Sequence, residues 1–266
     1  MNTAVAAPAA VDLVSSVQRG PAHWGRSYAR MLRFDLATHR GELSQMFVMQ
    51  LLMGLAVSII YGLYVPHMPH LSAAYITTGA PTLALIPVGM VMVPAIVAQQ
   101  RSMGTYDFVW SLPVPRSAAT AATVTVFSAV GVPGMVATVV VAALRYHVHL
   151  APSITLLPGV AAVAVMSSSV GFGLAQAVKN PMVTNLFANT LIFVATLFSP
   201  IAFPASHYPH WLVQVHQYLP LYPMATVVRD GLVPGLAPGL VHAYLVLALW
   251  AALAWAAVAW VVGRRR

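Results

Sequence analysis

The sequence predicts an all-α polytopic membrane protein with six transmembrane helices, and three observations carry that prediction. The 266 residues are 59% hydrophobic and 7% charged, whereas a soluble domain carries roughly 25% charged residues. A water-soluble fold is therefore excluded, in keeping with a mean hydropathy of +0.79. Six stretches reach the roughly 20 apolar residues that cross a bilayer. The basic residues fall unequally between the intervening loops, which sets an orientation.

The spans are read at 46–64, 74–98, 118–144, 154–178, 183–203 and 240–262. None contains Asp, Glu, Lys or Arg, so the intramembrane ionisable groups that mark proton- or sodium-driven carriers are missing. Arg19, Arg26, Arg30, Arg33 and Arg40 precede span one. Arg101 and Arg116 lie between spans two and three, Lys179 follows span four, and Arg264, Arg265 and Arg266 end the chain. The alternate loops hold only Arg145 and Arg229. Eleven basic residues against two place both termini inside. The formal charge of +8 is thus spread between apolar runs rather than gathered on one nucleic-acid-binding face.

Residues 1–18 show no usable pattern and are expected to form a disordered tail, with no charged region ahead of an apolar core to suggest a cleaved signal. Residues 19–44 read as an amphipathic helix lying in the membrane interface. Trp24, Tyr28, Met31, Leu32 and Leu36 share one stripe, with Arg26, Arg30 and Arg33 behind it; a polar tail with chance periodicity is the alternative. Residues 45–266 form the transmembrane domain. Pro81, Pro87 and Pro94 in span two predict kinks, and so do Gly131, Pro133 and Gly134 in span three. Ser167, Ser168, Ser169, Gly171 and Gly173 give span four a small-residue ridge for close helix approach.

Two loops carry the functional reading. In the first, residues 99–116 (QQRSMGTYDFVWSLPVPR), Gly104 permits a sharp turn, Thr105 can cap a helix, and residues 106–112 can form two turns before Pro113 and Pro115 end them. Tyr106, Phe108, Val109 and Trp110 would then face water as a docking surface, or else lie in the membrane interface. The second loop spans residues 199–239. Pro200, Pro204, Pro209, Pro220 and Pro223 divide it into apolar pieces at 211–219 and 224–232, which fits a helical hairpin re-entering the outer leaflet. Trp211, Tyr218 and Arg229 belong to that hairpin.

At these two loops the chain resembles permeases of the ABC-2 family, the type V exporters. Arg101, Gly104, Thr105, Pro113 and Arg116 match the family pattern between spans two and three, although Gln100 stands where an acidic residue is usual. Pro204, Pro209, Trp211, Pro220 and Arg229 match the segment before span six, although Leu219-Pro220-Leu221 lacks the usual Asn. Among subgroups, the compact size and the Ser-Leu-Pro-Val-Pro-Arg ending look most like daunorubicin-resistance and nodulation-exporter permeases. The resemblance implies a dimer of permease subunits, either homodimer or heterodimer, bound to two cytoplasmic ATPase subunits that hold ATP and Mg. It also implies coupling through Arg101, Gly104, Thr105, Tyr106, Asp107, Phe108, Trp110, Pro113 and Arg116. Outward movement of an amphipathic small molecule across a bacterial cell membrane follows. Export of a polysaccharide or glycolipid, or a non-transport membrane subunit, are the alternatives.

No catalytic or metal site is read. Cysteine is absent, and no Ser, His and acid set is recognisable. Gly171 and Gly173 have no following Lys and so open no phosphate loop. His207 and His210 could hold a metal only if they shared a helix face; interfacial or pH-sensitive histidines are the readier reading. No cofactor is expected in this chain.

Overall fold

The computed structural model describes residues 20–64, 69–178 and 180–263. The tail, Arg19, His67, Lys179 and Arg264 to Arg266 lie outside the described residues. Every regular element among those described is helical. In chain order these are α1 (Pro21–Thr38), α2 (Arg40–Tyr64), α3 (His70–Pro87), α4 (Val93–Ser102), α5 (Thr105–Ser111), α6 (Arg116–Tyr146), α7 (Leu156–Ala177), α8 (Pro181–Phe198), α9 (His210–Tyr218), α10 (Leu221–Leu232) and α11 (Leu240–Gly263).

Among the described residues, four helical stretches are long and apolar enough to cross a membrane: Arg40–Ile60, His70–Ser102, Arg116–Tyr146 and Leu156–Ala177. Two shorter apolar stretches, Met182–Val194 and Leu240–Ala256, correspond to the fifth and sixth expected spans. The fifth was expected to run to residue 203, but Pro200 lacks an amide hydrogen and α8 stops at Phe198.

The stretch from His70 to Ser102 is one continuous helix in which a π-helical turn, Val88–Met92, joins α3 to α4. Pro87 explains it. Its ring cannot donate to the carbonyl four residues back and crowds it, so the turn widens. The widened turn presents Gly89 to the small-residue ridge of α7. A Cβ on Gly89 would collide with Ser167 and Ser168, and one on Gly171 with the Gly89 carbonyl. Backbones meet here without intervening side chains, as the ridge predicts. Gly173 has open space around its Cβ position and takes no part.

The main core joins α3, α7, α10 and α11 through Leu85, Met90, Met166, Met224, Val228 and Leu247. Nearly all of α10 is buried, so the second piece of the Pro-rich segment packs as an integral part of the helical bundle. It begins at Leu221, three residues earlier than expected, because Pro223 falls within its first turn, where a missing amide costs nothing.

Helix α1 packs Tyr28, Met31 and Leu32 of its stripe against α6, while Leu36 stays exposed. Trp24 Nε1 donates to Ser117 Oγ at 3.0 Å, and Tyr28 Oη donates to Thr125 Oγ1 at 3.0 Å. The two rings stack at 5.5 Å. Thr123 Oγ1 donates to the buried Asp35 carboxylate at 2.9 Å. The hydroxyls of α6 thus supply hydrogen-bond partners for the polar atoms on this side of α1. Arg26, Arg30 and Arg33 stay on the exposed back of α1.

Burial pushes the Asp35 carboxyl above its ordinary range, partly opposed by the Thr123 hydrogen bond. A raised folded-state value means the neutral form suits the fold. Its contribution is complete below the unfolded carboxyl value of about 3.9 and is lost as pH rises through the folded value. Asp35→Asn should therefore raise the unfolding temperature in detergent at pH 7 by about 3 °C. The advantage over wild type should shrink as pH falls toward 4.

Candidate functional site

The segment between α4 and α6 is held in place by polar bonds to the end of α7. Gly104 takes a left-handed conformation, φ 75°, and is the N-cap of α5, as the expected sharp turn requires. Thr105 is the first helical residue, not the cap. Leu112 is extended, which ends α5 before Pro113. Pro115 is the N-cap of α6, and Arg116 is its first residue.

Helix α5 has an inner and an outer side. Tyr106 is buried, whereas Phe108 is 56% exposed. Val109 packs with Leu112, Val114, Met31, Leu32 and Ala122, where α1, α5 and α6 meet. The expectation that Tyr106, Phe108 and Val109 all face water is corrected by helical geometry. Positions three apart share a face, so Tyr106 and Val109 turn inward together and Phe108 turns out. The side chains of Asp107 and Trp110 lie outside the described residues.

Arg101, expected to orient a partner, points inward. Its Nη1 donates to the carbonyls of Ala175 and Val178, and its Nη2 donates to Gln176 Oε1 at 2.7 Å. The guanidinium thereby satisfies carbonyls that the last turn of α7 leaves without helical partners, at the negative end of the helix dipole. It also lies 4.8 Å from the centre of the Tyr106 ring. Gln176 Nε2 donates to Tyr106 Oη at 2.7 Å, and Tyr106 Oη donates to Gln176 Oε1 at 3.0 Å beside the Arg101 bond. Arg101, Tyr106 and Gln176 thus form one clamp binding α5 to α7. Gln176 was missed in the sequence. The available signal was a buried amide near the end of an apolar helix, which needs partners.

A second set of bonds ties the α1–α2 junction to α4. His39, which caps α1, meets Glu42 Oε2 through Nδ1 at 2.9 Å and the Gln100 amide nitrogen through Nε2 at 3.2 Å. Gln99 Nε2 donates to Glu42 Oε1 at 3.3 Å. Gln100 is thus half-buried against His39 rather than solvated. The usual acid at that position would face an imidazole here.

The other expected site residues stand apart from this loop. Pro204, Pro209 and Pro220 cap, in turn, a short 3₁₀ turn (Ala205–His207), α9 and α10. Trp211 and Tyr218 lie on the exposed side of α9. Arg229 is fully buried, donating to Thr78 Oγ1 at 3.2 Å and to the Ile201 carbonyl, with its guanidinium 4.1 Å from the Tyr75 ring centre. These bonds fix α10 to α3 and to the turn after α8. His207 belongs to the 3₁₀ turn and His210 opens α9, so they do not share a helix.

Replacing Gln176 with Leu removes the acceptor of Arg101 and the donor to Tyr106 at once. Loss of a buried hydrogen bond costs about 1–3 kcal/mol, so amide exchange across α5 should quicken by about tenfold in a hydrogen-exchange measurement on the purified chain. Gln99→Leu, whose side chain bonds Glu42 and not the clamp, should leave exchange in α5 at the wild-type rate.

The model of one protein family, described as ABC-2 type transporter, matches residues 26–233. The match runs from α1 through the Arg101 clamp to the end of α10. A search of curated proteins finds no match. With its multi-pass helical fold and more than half its length matched, the chain belongs to the ABC-2 type transporter family as a membrane-domain permease subunit.

Proposed function

We propose that the chain is the six-span permease of an ATP-driven exporter in a bacterial cytoplasmic membrane, with both termini inside and α5 as its coupling helix. Two such subunits pair, and each engages one ATPase subunit that binds ATP and Mg. The exported molecule is an amphipathic small molecule such as a drug, natural product or lipid. The segment ahead of α11 forms the outer re-entrant hairpin.

The observation that supports this reading best is the two-sided character of α5. Its inner face is bound to α1, α6 and α7, while Phe108 projects outward. An exposed aromatic ring on a firmly held helix is the arrangement of an interface anchor, because little side-chain or backbone freedom is lost on docking. Force applied there enters the bundle through the clamp. The six apolar cores at 46–64, 74–98, 118–144, 154–178, 183–203 and 240–262 carry no Asp, Glu, Lys or Arg, which supports a driving energy that arrives from a partner. Pairing with a second copy is supported by α8, where Asn189 is exposed among Leu186, Phe187 and Phe193. An amide on an apolar helix is stabilised by a hydrogen-bonding neighbour in the membrane.

Phe108→Ala should lower affinity for the ATPase subunit by about thirtyfold, the equivalent of losing an interface anchor worth about 2 kcal/mol. Thermal unfolding of the isolated permease should not change. Trp110→Ala should act in the same direction. Co-purification of the tagged permease with its co-expressed ATPase measures this, with Leu144→Ala as a control at the opposite end of α6. Full complex formation by both aromatic variants would remove the coupling role from α5.

A further inference from the structure

A cleft of about 310 Å³ opens between the α9–α10 hairpin and the start of α11. Its rim carries the Gln217 amide and the His242 imidazole, both exposed, and its deeper wall carries Tyr222 and Thr226. Pro223, Pro238 and Ala243 complete the wall. No carboxylate lines it, so its polar groups offer amide, hydroxyl and imidazole hydrogens to an acceptor-rich ligand. The Tyr218 ring meets His242 edge-on at 5.7 Å, and Trp250 Nε1 donates to the Tyr218 carbonyl at 2.7 Å. These contacts fix the cleft to the upper part of α11.

The surface below the cleft is apolar. His242, Leu245, Leu249 and Leu253 are spaced three, four and four residues apart, which places them on one stripe of α11. The three leucines are 65%, 58% and 52% exposed. A polar cleft thus stands at the head of an exposed leucine ladder long enough to lie beside a hydrocarbon chain. Tyr218, exposed on α9 beside the cleft residue His242, is a residue of the type that gathers at headgroup depth.

We propose that the cleft and ladder together bind one phospholipid of the adjoining leaflet. Its phosphate oxygens accept from Gln217, Tyr222 and His242, and an acyl chain runs along Leu245, Leu249 and Leu253. The outer location of the leaflet rests on the orientation proposed above, whereas binding itself does not.

Purified, delipidated full-length chain in dodecyl maltoside tests this by thermal unfolding during titration with three probes. These are dioleoyl phosphatidylglycerol, dioleoylglycerol, which has the same chains without phosphate, and glycerol phosphate, which has no chains. The phospholipid should raise the unfolding temperature by about 5 °C, and the other two should not. Gln217→Ala with His242→Ala should raise the half-saturating phospholipid concentration about tenfold, with each shift read from the variant's own lipid-free unfolding temperature. Gln217→Ala with His242→Gln, which returns an amide donor, should recover part of the loss. An equal shift from dioleoylglycerol or glycerol phosphate, or wild-type half-saturation in the double alanine variant, would overturn the site. Labelling a cysteine at Pro238 with an impermeant thiol reagent on intact cells tests the sidedness separately.

Discussion

Arg101 does what the dielectric of its surroundings demands of a guanidinium at the edge of a membrane domain. It pairs with every acceptor in reach, and those acceptors are the carbonyl end of α7 and the amide of Gln176. Charge-assisted bonds of this kind are roughly twice as strong as neutral ones. A buried amide or phenol left without partners would cost more than either bond returns. Tyr106 and Gln176 are therefore held as strictly as Arg101, and α5 with them. The short helix between two spans is a fixed projection of the bundle.

The same continuous helix that ends in Arg101 begins near the opposite side of the bundle. There Thr78 accepts from the buried Arg229 of α10. One element, interrupted only by the π turn at Val88–Met92, thus carries the clamp at one end and the anchor of the hairpin at the other. At its middle, Gly89 lies in direct backbone contact with Ser167, Ser168 and Gly171 of α7. Packing this close tolerates sliding poorly, because interiors are not continuously deformable. Displacement at the α5 end would be carried along this helix toward the hairpin.

How much of this was legible in the sequence depended on whether the determining physics was local. Gly104, the prolines that cap α9 and α10, and the ridge at Ser167 to Gly171 could be read, since backbone freedom and side-chain size act where the residue sits. That Tyr106 and Val109 share a face could have been taken from their spacing, but the direction of that face could not. The partners of Arg101 lie more than seventy residues away. Asp35 and Gln176 gave a partial signal, as polar groups in apolar helices that need partners without naming them. The docking of α1 on α6 rests on Ser117, Thr123 and Thr125, hydroxyls that the sequence presents as ordinary span residues. Arg101, Tyr106 and the prolines around α9 and α10 were thus visible singly, whereas Gln176 and the contacts that join these residues were not.

The central claim is that α5 and the end of α7 move as one body. Its most direct test is a spin-label distance between Ser111 on α5 and Ala177 at the end of α7, in the permease–ATPase complex with and without ATP. The account predicts a single narrow distance distribution that stays in place, to within about the 1–2 Å scale of small interface shifts, across both conditions. A distribution that broadens or moves by a helical turn on nucleotide binding would contradict it.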